Sequence, residues 1–120
     1  MEIRRFEASV RRGDAAAVIA LSGEIDALAE EALNGAYAEA EEADPRTIVL
    51  DFDDVEYINS TGIALIVGVL ARARRDRRRI AAAALSDHYR EIFEITRLAD
   101  FMDIYPDARS AVDDVSAPAP

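Results

Sequence analysis

Cysteine is absent from all 120 residues, which excludes disulfides, a thiol nucleophile and thiolate metal sites. Histidine occurs once, at His88, so neither an ordinary zinc centre nor a Ser/His/Asp triad has much to be built from. Lysine is missing as well: all 14 basic residues are arginine. No apolar run approaches the roughly 20 residues of a membrane span. The opening "MEIRRFEASV" lacks the apolar core of a secretory signal, so the expected location is cytoplasmic. A chain this long suits one domain, residues 1–115, that buries about two-thirds of its unfolded surface. The closing "SAPAP", residues 116–120, is too small and proline-rich to pack and is expected to fray.

What is present is acid. The formal net charge of −10 argues against nucleic acid and anionic membranes as partners. Its distribution is uneven: Glu24 to Glu56 holds twelve acids against Arg46 alone, a net of −11, whereas Arg72 to Arg79 holds six arginines against Asp76, a net of +5. Hydrophobic residues make up 51% of the chain, enough for an ordinary core.

The hydropathy pattern alternates strands with helices. "RRFEASVRRG" alternates like a half-exposed strand and ends at Gly13-Asp14, a hairpin turn. "AAAVIALSG" is uniformly apolar, as suits a strand inside a sheet. Asp26 is a candidate N-cap for a helix carrying Ala29, Leu33, Ala36, Tyr37 and Ala40 on one stripe, stopped at Asp44-Pro45. "TIVLDF", residues 47–52, reads as a buried strand and "DDVEYIN" as the loop after it. A helix to about Arg75 follows, then a weaker strand in "RIAAAAL". "SDHYREIFEITRLADF" reads as one amphipathic helix with Tyr89, Ile92, Phe93 and Thr96 on a stripe and a Ser86 or Asp87 cap. "MDIY" suits a short edge strand, and "DARSAVDDV" a last short helix. Such alternation predicts an α/β domain with a largely covered sheet.

The segment between the two apolar runs, Asn59-Ser60-Thr61-Gly62, raises the functional question. Its plain structural explanation is that Ser and Thr cap the helix, while Gly62 lets neighbouring backbone approach. On a helical wheel Ile63, Ile66, Val67 and Leu70 form one stripe, expected to face the sheet. Leu65 and Val69 then point almost oppositely, in line with Thr61, Gly68 and Arg72. An apolar outer face rimmed by charge suits either a docking surface or a helix covered by another part of the same chain. Ser60 and Thr61 stand at its head, where free amides and the dipole favour a phosphate locally. Physics alone does not separate these two hydroxyls.

Three blocks carry a resemblance: "LSGEIDALAEEAL", "TIVLDFDDVEYINSTGIALIVGVLARAR" and "LSDHYREIFEITRLADFMDIYPDARSAV". From about Phe6 to Val115 the chain resembles the STAS-domain anti-sigma factor antagonists of bacteria. The central block is the most specific, because the family pattern of an acid or amide, Ser, Ser or Thr, then Gly matches Asn59, Ser60, Thr61 and Gly62 in order. The resemblance implies a STAS-like mixed sheet of four to five strands packed against about four helices. It implies a non-enzymatic switch that binds an anti-sigma factor, itself a GHKL-type serine kinase, and so frees a sigma factor. Phosphorylation falls on Ser60, with Thr61 as the fallback, and a PP2C-type phosphatase reverses it. Asp26, with Glu24 and Ser22 nearby, is implied to help meet the kinase. Together with Asn59, Ser60, Thr61, Gly62, Leu65, Gly68, Val69 and Arg72 they form the expected partner surface. ATP and magnesium belong to the kinase, so this chain is expected to carry no cofactor or metal, and to be a monomer when free. One departure is Asn59, where many phosphorylated members have Asp; Asn serves equally as a turn or cap residue but brings no charge.

Rival functions fare less well. "INSTG" has the outline of a nucleophile elbow, yet Ile58 stands where G-x-S-x-G needs glycine. A phospho-aspartate receiver, which "VLDFDD" resembles, also needs the lysine this chain lacks. The arginines of "RARRDRRR" complement a helix C-terminus as readily as a nucleic acid. The nearest alternative shares the fold: a STAS scaffold or transporter-accessory module that is never phosphorylated.

Overall fold

A computed structural model describes residues 4–117; residues 1–3 and 118–120 lie outside it. β1 (Glu7–Arg12) and β2 (Ala16–Ile25) form the expected antiparallel hairpin, closed where the Gly13 N–H donates to the Ala16 carbonyl at 3.0 Å. A 3-10 turn (Ala27–Ala29) capped by Asp26 leads into α1 (Glu30–Glu41). There follow β3 (Thr47–Ile58), α2 (Ser60–Arg75), β4 (Arg79–Ala83), α3 (Asp87–Ile95), β5 (Asp103–Tyr105) and α4 (Ala108–Ser116). The strands lie in chain order, β1-β2-β3-β4-β5, with β2 to β5 mutually parallel. The fold is α/β, a mixed five-stranded sheet with four helices.

Each parallel connection steps one strand further in the same direction. Because such crossovers share one hand, their helices fall on one face of the sheet. Leu33 and Tyr37 of α1, Ile66, Val69 and Leu70 of α2, and Tyr89 and Phe93 of α3 accordingly join Ile19, Leu21, Ile48 and Leu50 in one core. The opposite face carries Ala16, Val18, Val49, Ala81 and Ala83, covered by α4 through Ala111 and Val112. Those small side chains let α4 lie close to the sheet.

The stripe Ala29, Leu33, Ala36, Tyr37 and Ala40 is buried throughout, as the spacing predicts. Two elements differ from expectation. β3 does not end at Phe52: it continues to Ile58, parallel to the end of β2 through two register shifts. One shift falls at Gly23, whose φ of 82° is open to glycine and whose missing side chain lets Arg5 backbone pass. The expected long helix to Phe101 instead ends at Ile95. Thr96, expected on its buried stripe, is exposed and returns its Oγ1 proton to the Ile92 carbonyl at 2.7 Å. Arg97 then adopts a left-handed conformation (φ 68°), and a 3-10 turn (Leu98–Phe101) swings the chain back to begin β5. Ser116 of the expected tail closes α4, Ala117 follows it, and the remainder of that tail lies outside the described residues.

Candidate functional site

Ile25 pairs with Ile58 where β2 and β3 leave the sheet, so Asp26 and Asn59 emerge side by side, about 4.8 Å apart as neighbouring strands are. Each turns its side chain back on the element it begins. Asp26 Oδ1 accepts from the Leu28 N–H at 3.0 Å, and Asn59 Oδ1 accepts from the Gly62 N–H at 2.8 Å. The cap of α2 is therefore Asn59; neither Ser60 nor Thr61 takes that role. An extended residue just ahead of the helix can reach back to its first amides, whereas Ser60 is already inside the first turn.

The platform under this turn is fixed from three sides. The buried Ile58 N–H donates to Tyr89 Oη of α3 at 2.8 Å, and the Asn59 N–H donates to the Ile25 carbonyl at 3.2 Å. Gly62 is buried so closely against that carbonyl that an added Cβ would overlap the oxygen. Above the platform Ser60 and Thr61 are exposed, and neither hydroxyl hydrogen-bonds to another described residue. A nucleophilic oxygen on a rigid base, with no internal partner, is open to a group brought by another molecule.

The orientation of α2 corrects the wheel. Val69, expected on the outer face, is buried at 4%, and Leu65 is half-buried against the core. Val67, expected inside, is 44% exposed. The buried arc runs through Gly62, Ile66, Val69, Leu70 and Ala73, and the exposed stripe through Ser60, Ala64, Val67, Gly68, Ala71 and Arg75. Residues 63–70 are apolar almost all round, so periodicity admits two phases; the fit of Gly62 against Ile25 selects between them. The outer face is still apolar, but flatter and made of smaller side chains than expected.

Arg72 is also redirected. It forms an ion pair with Glu41 of α1 and stacks on the Tyr37 ring at 4.4 Å, clamping α1 to α2 rather than waiting on the surface. Beneath it burial pushes the Tyr37 hydroxyl up from its ordinary pKa, helped by Asp76 and Glu41. Ser22 is half-buried on β2 with a long contact of 3.5 Å from its hydroxyl to the Glu7 carbonyl; as the neighbour of core residue Leu21 it points to the opposite side of the sheet. Glu24 is half-exposed, its N–H donating to the Arg4 carbonyl at 3.1 Å. Ser60, Thr61, Asn59 and Asp26 are brought to one end of the sheet, together with Gly68 further along α2; Ser22, Val69 and Arg72 are not part of that surface.

Leu28 was not anticipated. It is 85% exposed on the 3-10 turn that packs against α2, and Tyr57, two residues before Asn59, is 52% exposed. Leu28 stands off the Ala29-Leu33-Tyr37 stripe, which is the signal that could have exposed it. Asp53, Asp54 and Glu56, read as loop residues, line the exposed extension of β3 beside them. Among the described residues no group of three or more His, Asp or Glu is placed to hold a metal ion.

Fold and site together define a class: a one-sheet α/β domain that presents a helix opening at the carboxyl ends of its parallel strands. The family model described as "Mlab, STAS domain" matches residues 8–105. The chain belongs to the STAS domain family. An anti-sigma-B factor antagonist of Staphylococcus aureus is 28% identical over 86 residues, 72% of this chain and 80% of that protein. Among solved structures, an anti-sigma factor antagonist from Mycobacterium paratuberculosis superposes with a TM-score of 0.78 at 23% identity, covering 94% of this chain and 96% of that one. The anti-sigma factor antagonist SpoIIAA in its unphosphorylated form gives 0.74 at 22% identity, covering 97% and 100%. The Bacillus protein SpoIIAA has also been solved phosphorylated, with a TM-score of 0.70 at 23% identity over 92% and 99% of the two chains. These structures share the fold. No helix among the described residues is long and apolar enough to cross a membrane.

Proposed function

We propose that this protein is an anti-sigma factor antagonist of the cytoplasm, switched by phosphorylation. Its monomer binds an anti-sigma factor that is a GHKL-type serine kinase, through the head and outer stripe of α2 and the adjoining Asp26–Leu28 turn, and thereby frees a sigma factor. The kinase transfers phosphate from its own ATP to Ser60, the complex separates, and a PP2C-type phosphatase restores the binding form. The relatives named above supply the partner class; SpoIIAA, known in both phosphorylated and unphosphorylated forms, supplies the precedent for the switch.

The observation that carries the reading is the unspent Ser60 hydroxyl, exposed because Asn59 has taken the cap. A phosphate here adds about −1.5 to −2 charges at the edge of the docking stripe. Against one acidic partner group ~5 Å away, each charge costs on the order of 3 kcal/mol at an effective dielectric of about 20. That is more than about a hundredfold in affinity, sufficient for an on/off switch.

Incubation with the cognate kinase and ATP, followed by phosphate-affinity electrophoresis, tests it. Wild type should show a shifted band, Ser60→Ala none, and Ser60→Asp should lose kinase binding in a pull-down. Retention of the band in Ser60→Ala but not Thr61→Ala would move the switch to Thr61. An unmodified wild type that still binds its kinase would favour the unphosphorylated scaffold.

A further inference from the structure

We propose a second binding site in the groove between the distal half of α2, the start of β4 and the 3-10 turn Leu98–Phe101, and assign it to a single-chain aliphatic carboxylate. The groove encloses about 500 Å³, within the range of small-ligand pockets. Its floor is aliphatic, from Leu70, Ile80, Leu98 and Met102, and its rim carries Val67 and Phe101, which are 44% and 57% exposed. No described residue covers those two side chains.

Charge decides the head group. Three arginines and two aspartates line the groove. Arg78 pairs with Asp44 at 2.9 Å, Arg79 pairs with Asp103 at 2.9 Å, and Asp100 pairs with Arg97 at 2.8 Å. Arg74 has no acidic partner among the described residues; its guanidinium lies 6.0 Å from the Phe101 ring centroid. Arg78 is spent on the chain itself, its Nη1 donating to Asp44 and to the Pro45 carbonyl, which leaves Arg74 as the lining arginine open to a ligand. On a molecule of net charge −10, this is a local site short of one negative charge beside an apolar trough. Arg74 is exposed at the rim, and a single carboxylate there gains a charge-assisted hydrogen bond that a neutral chain does not, while a second negative charge would face Asp100 and Asp103. Arg74 lies roughly 20 Å along α2 from Ser60, at about 1.5 Å per residue, so the head-group end is remote from that hydroxyl, while Val67 and Ala71 belong both to the groove and to the outer stripe of α2.

The test is a titration of the ¹⁵N-labelled full chain with decanoate below its micelle concentration, with 1-decanol as the uncharged control. Decanoate should bind saturably, one per chain, with the largest shifts at Val67, Ala71, Arg74, Phe101 and Met102. Arg74→Gln should weaken decanoate at least ~10-fold, a difference near 1.4 kcal/mol, while leaving decanol unchanged. Ala71→Phe, at an exposed position on the groove wall, should block both. Both substitutions are on the surface, and unchanged spectra elsewhere confirm the fold. Equal affinity for decanoate and decanol, insensitivity to Arg74→Gln, or shifts scattered away from the groove would each overturn the assignment.

Discussion

Two glycines of one helix answer to different demands. Gly62 is buried against the Ile25 carbonyl, and any side chain there must push α2 away from β2. Gly62→Ala should therefore cost about 1–3 kcal/mol in urea unfolding, the usual range for overpacking against a site that cannot give. Gly68 has nothing within 4 Å of where a Cβ would stand, so the fold does not need it. A glycine inside an exposed helix costs about 0.5–1 kcal/mol relative to alanine. Gly68→Ala should raise stability by that amount in the same assay. If the stripe is a docking surface, a bulky Gly68→Leu should also reduce kinase retention without lowering the unfolding midpoint. Asn59 makes the same point for polar side chains. By accepting the Gly62 N–H it leaves Ser60 free, and Asn59→Asp should keep that cap while adding a charge next to the acceptor.

At the level of elements, what was legible in the sequence follows from how many physical constraints each segment carries. α1 has one apolar stripe and glutamates opposite, so its buried face has one solution; the hairpin has a glycine turn between alternating runs. α2 offers an apolar surface around most of its circumference, and only the tertiary fit of Gly62 sets its rotation. The extension of β3 past Phe52 was hidden because "DDVEY" is mostly polar; its backbone pairs with β2 while Asp53, Asp54, Glu56 and Tyr57 stay exposed and only Val55 turns to the core. The mutual closeness of Asp26 and Ser60 rests on that pairing, and no local pattern reveals it. The anchor of the Asn59–Gly62 turn was equally invisible. Tyr89 read as an ordinary stripe residue, yet its hydroxyl meets the buried Ile58 N–H at 2.8 Å. Tyr89→Phe keeps the ring and strands that donor, at a cost of about 1–3 kcal/mol for a buried unpaired group. Hydrogen exchange should accelerate most at Ile58 to Gly62, more than at β4. Uniform acceleration would mean that Tyr89 acts only through the general core.

On the scale of the molecule, α4 is the described helix that covers the second sheet face, and its hold is sensitive to pH at both ends. Tyr105 Oη donates to Asp114 at 2.6 Å, and that hydrogen bond, with burial, raises the phenol from its ordinary value near 10 to about 12. A raised folded value means a contribution fully present below pH 10 and lost as pH climbs through about 12. Asp107, capping α4 by accepting from the Ser110 N–H, is lowered below its ordinary 3.8; its contribution is present above that value and disappears on acidification. Asp114→Asn should bring Tyr105 ionisation, read as tyrosinate absorbance, back toward 10. The larger asymmetry is in charge. The basic segment from Arg72 to Arg79 is partly consumed inside the fold, where Arg72, Arg78 and Arg79 pair with Glu41, Asp44 and Asp103. The acids on the exposed extension of β3 are less engaged: Glu56 pairs with Arg4, but Asp53 and Asp54 have no ion-pair partner among the described residues. On the proposed function, a kinase whose contact reaches from Ser60 along that extension meets a negative field there and should itself be basic. Complementary fields act chiefly on association, and salt screens them beyond about 8–10 Å. Raising the salt from 50 to 500 mM should slow kinase association by roughly tenfold with little change in dissociation. Neutralising Asp53, Asp54 and Glu56 to their amides should reduce the low-salt rate and flatten that dependence. If association is indifferent to salt, the acidic extension lies outside the contact, and docking rests on the apolar stripe and Leu28 alone.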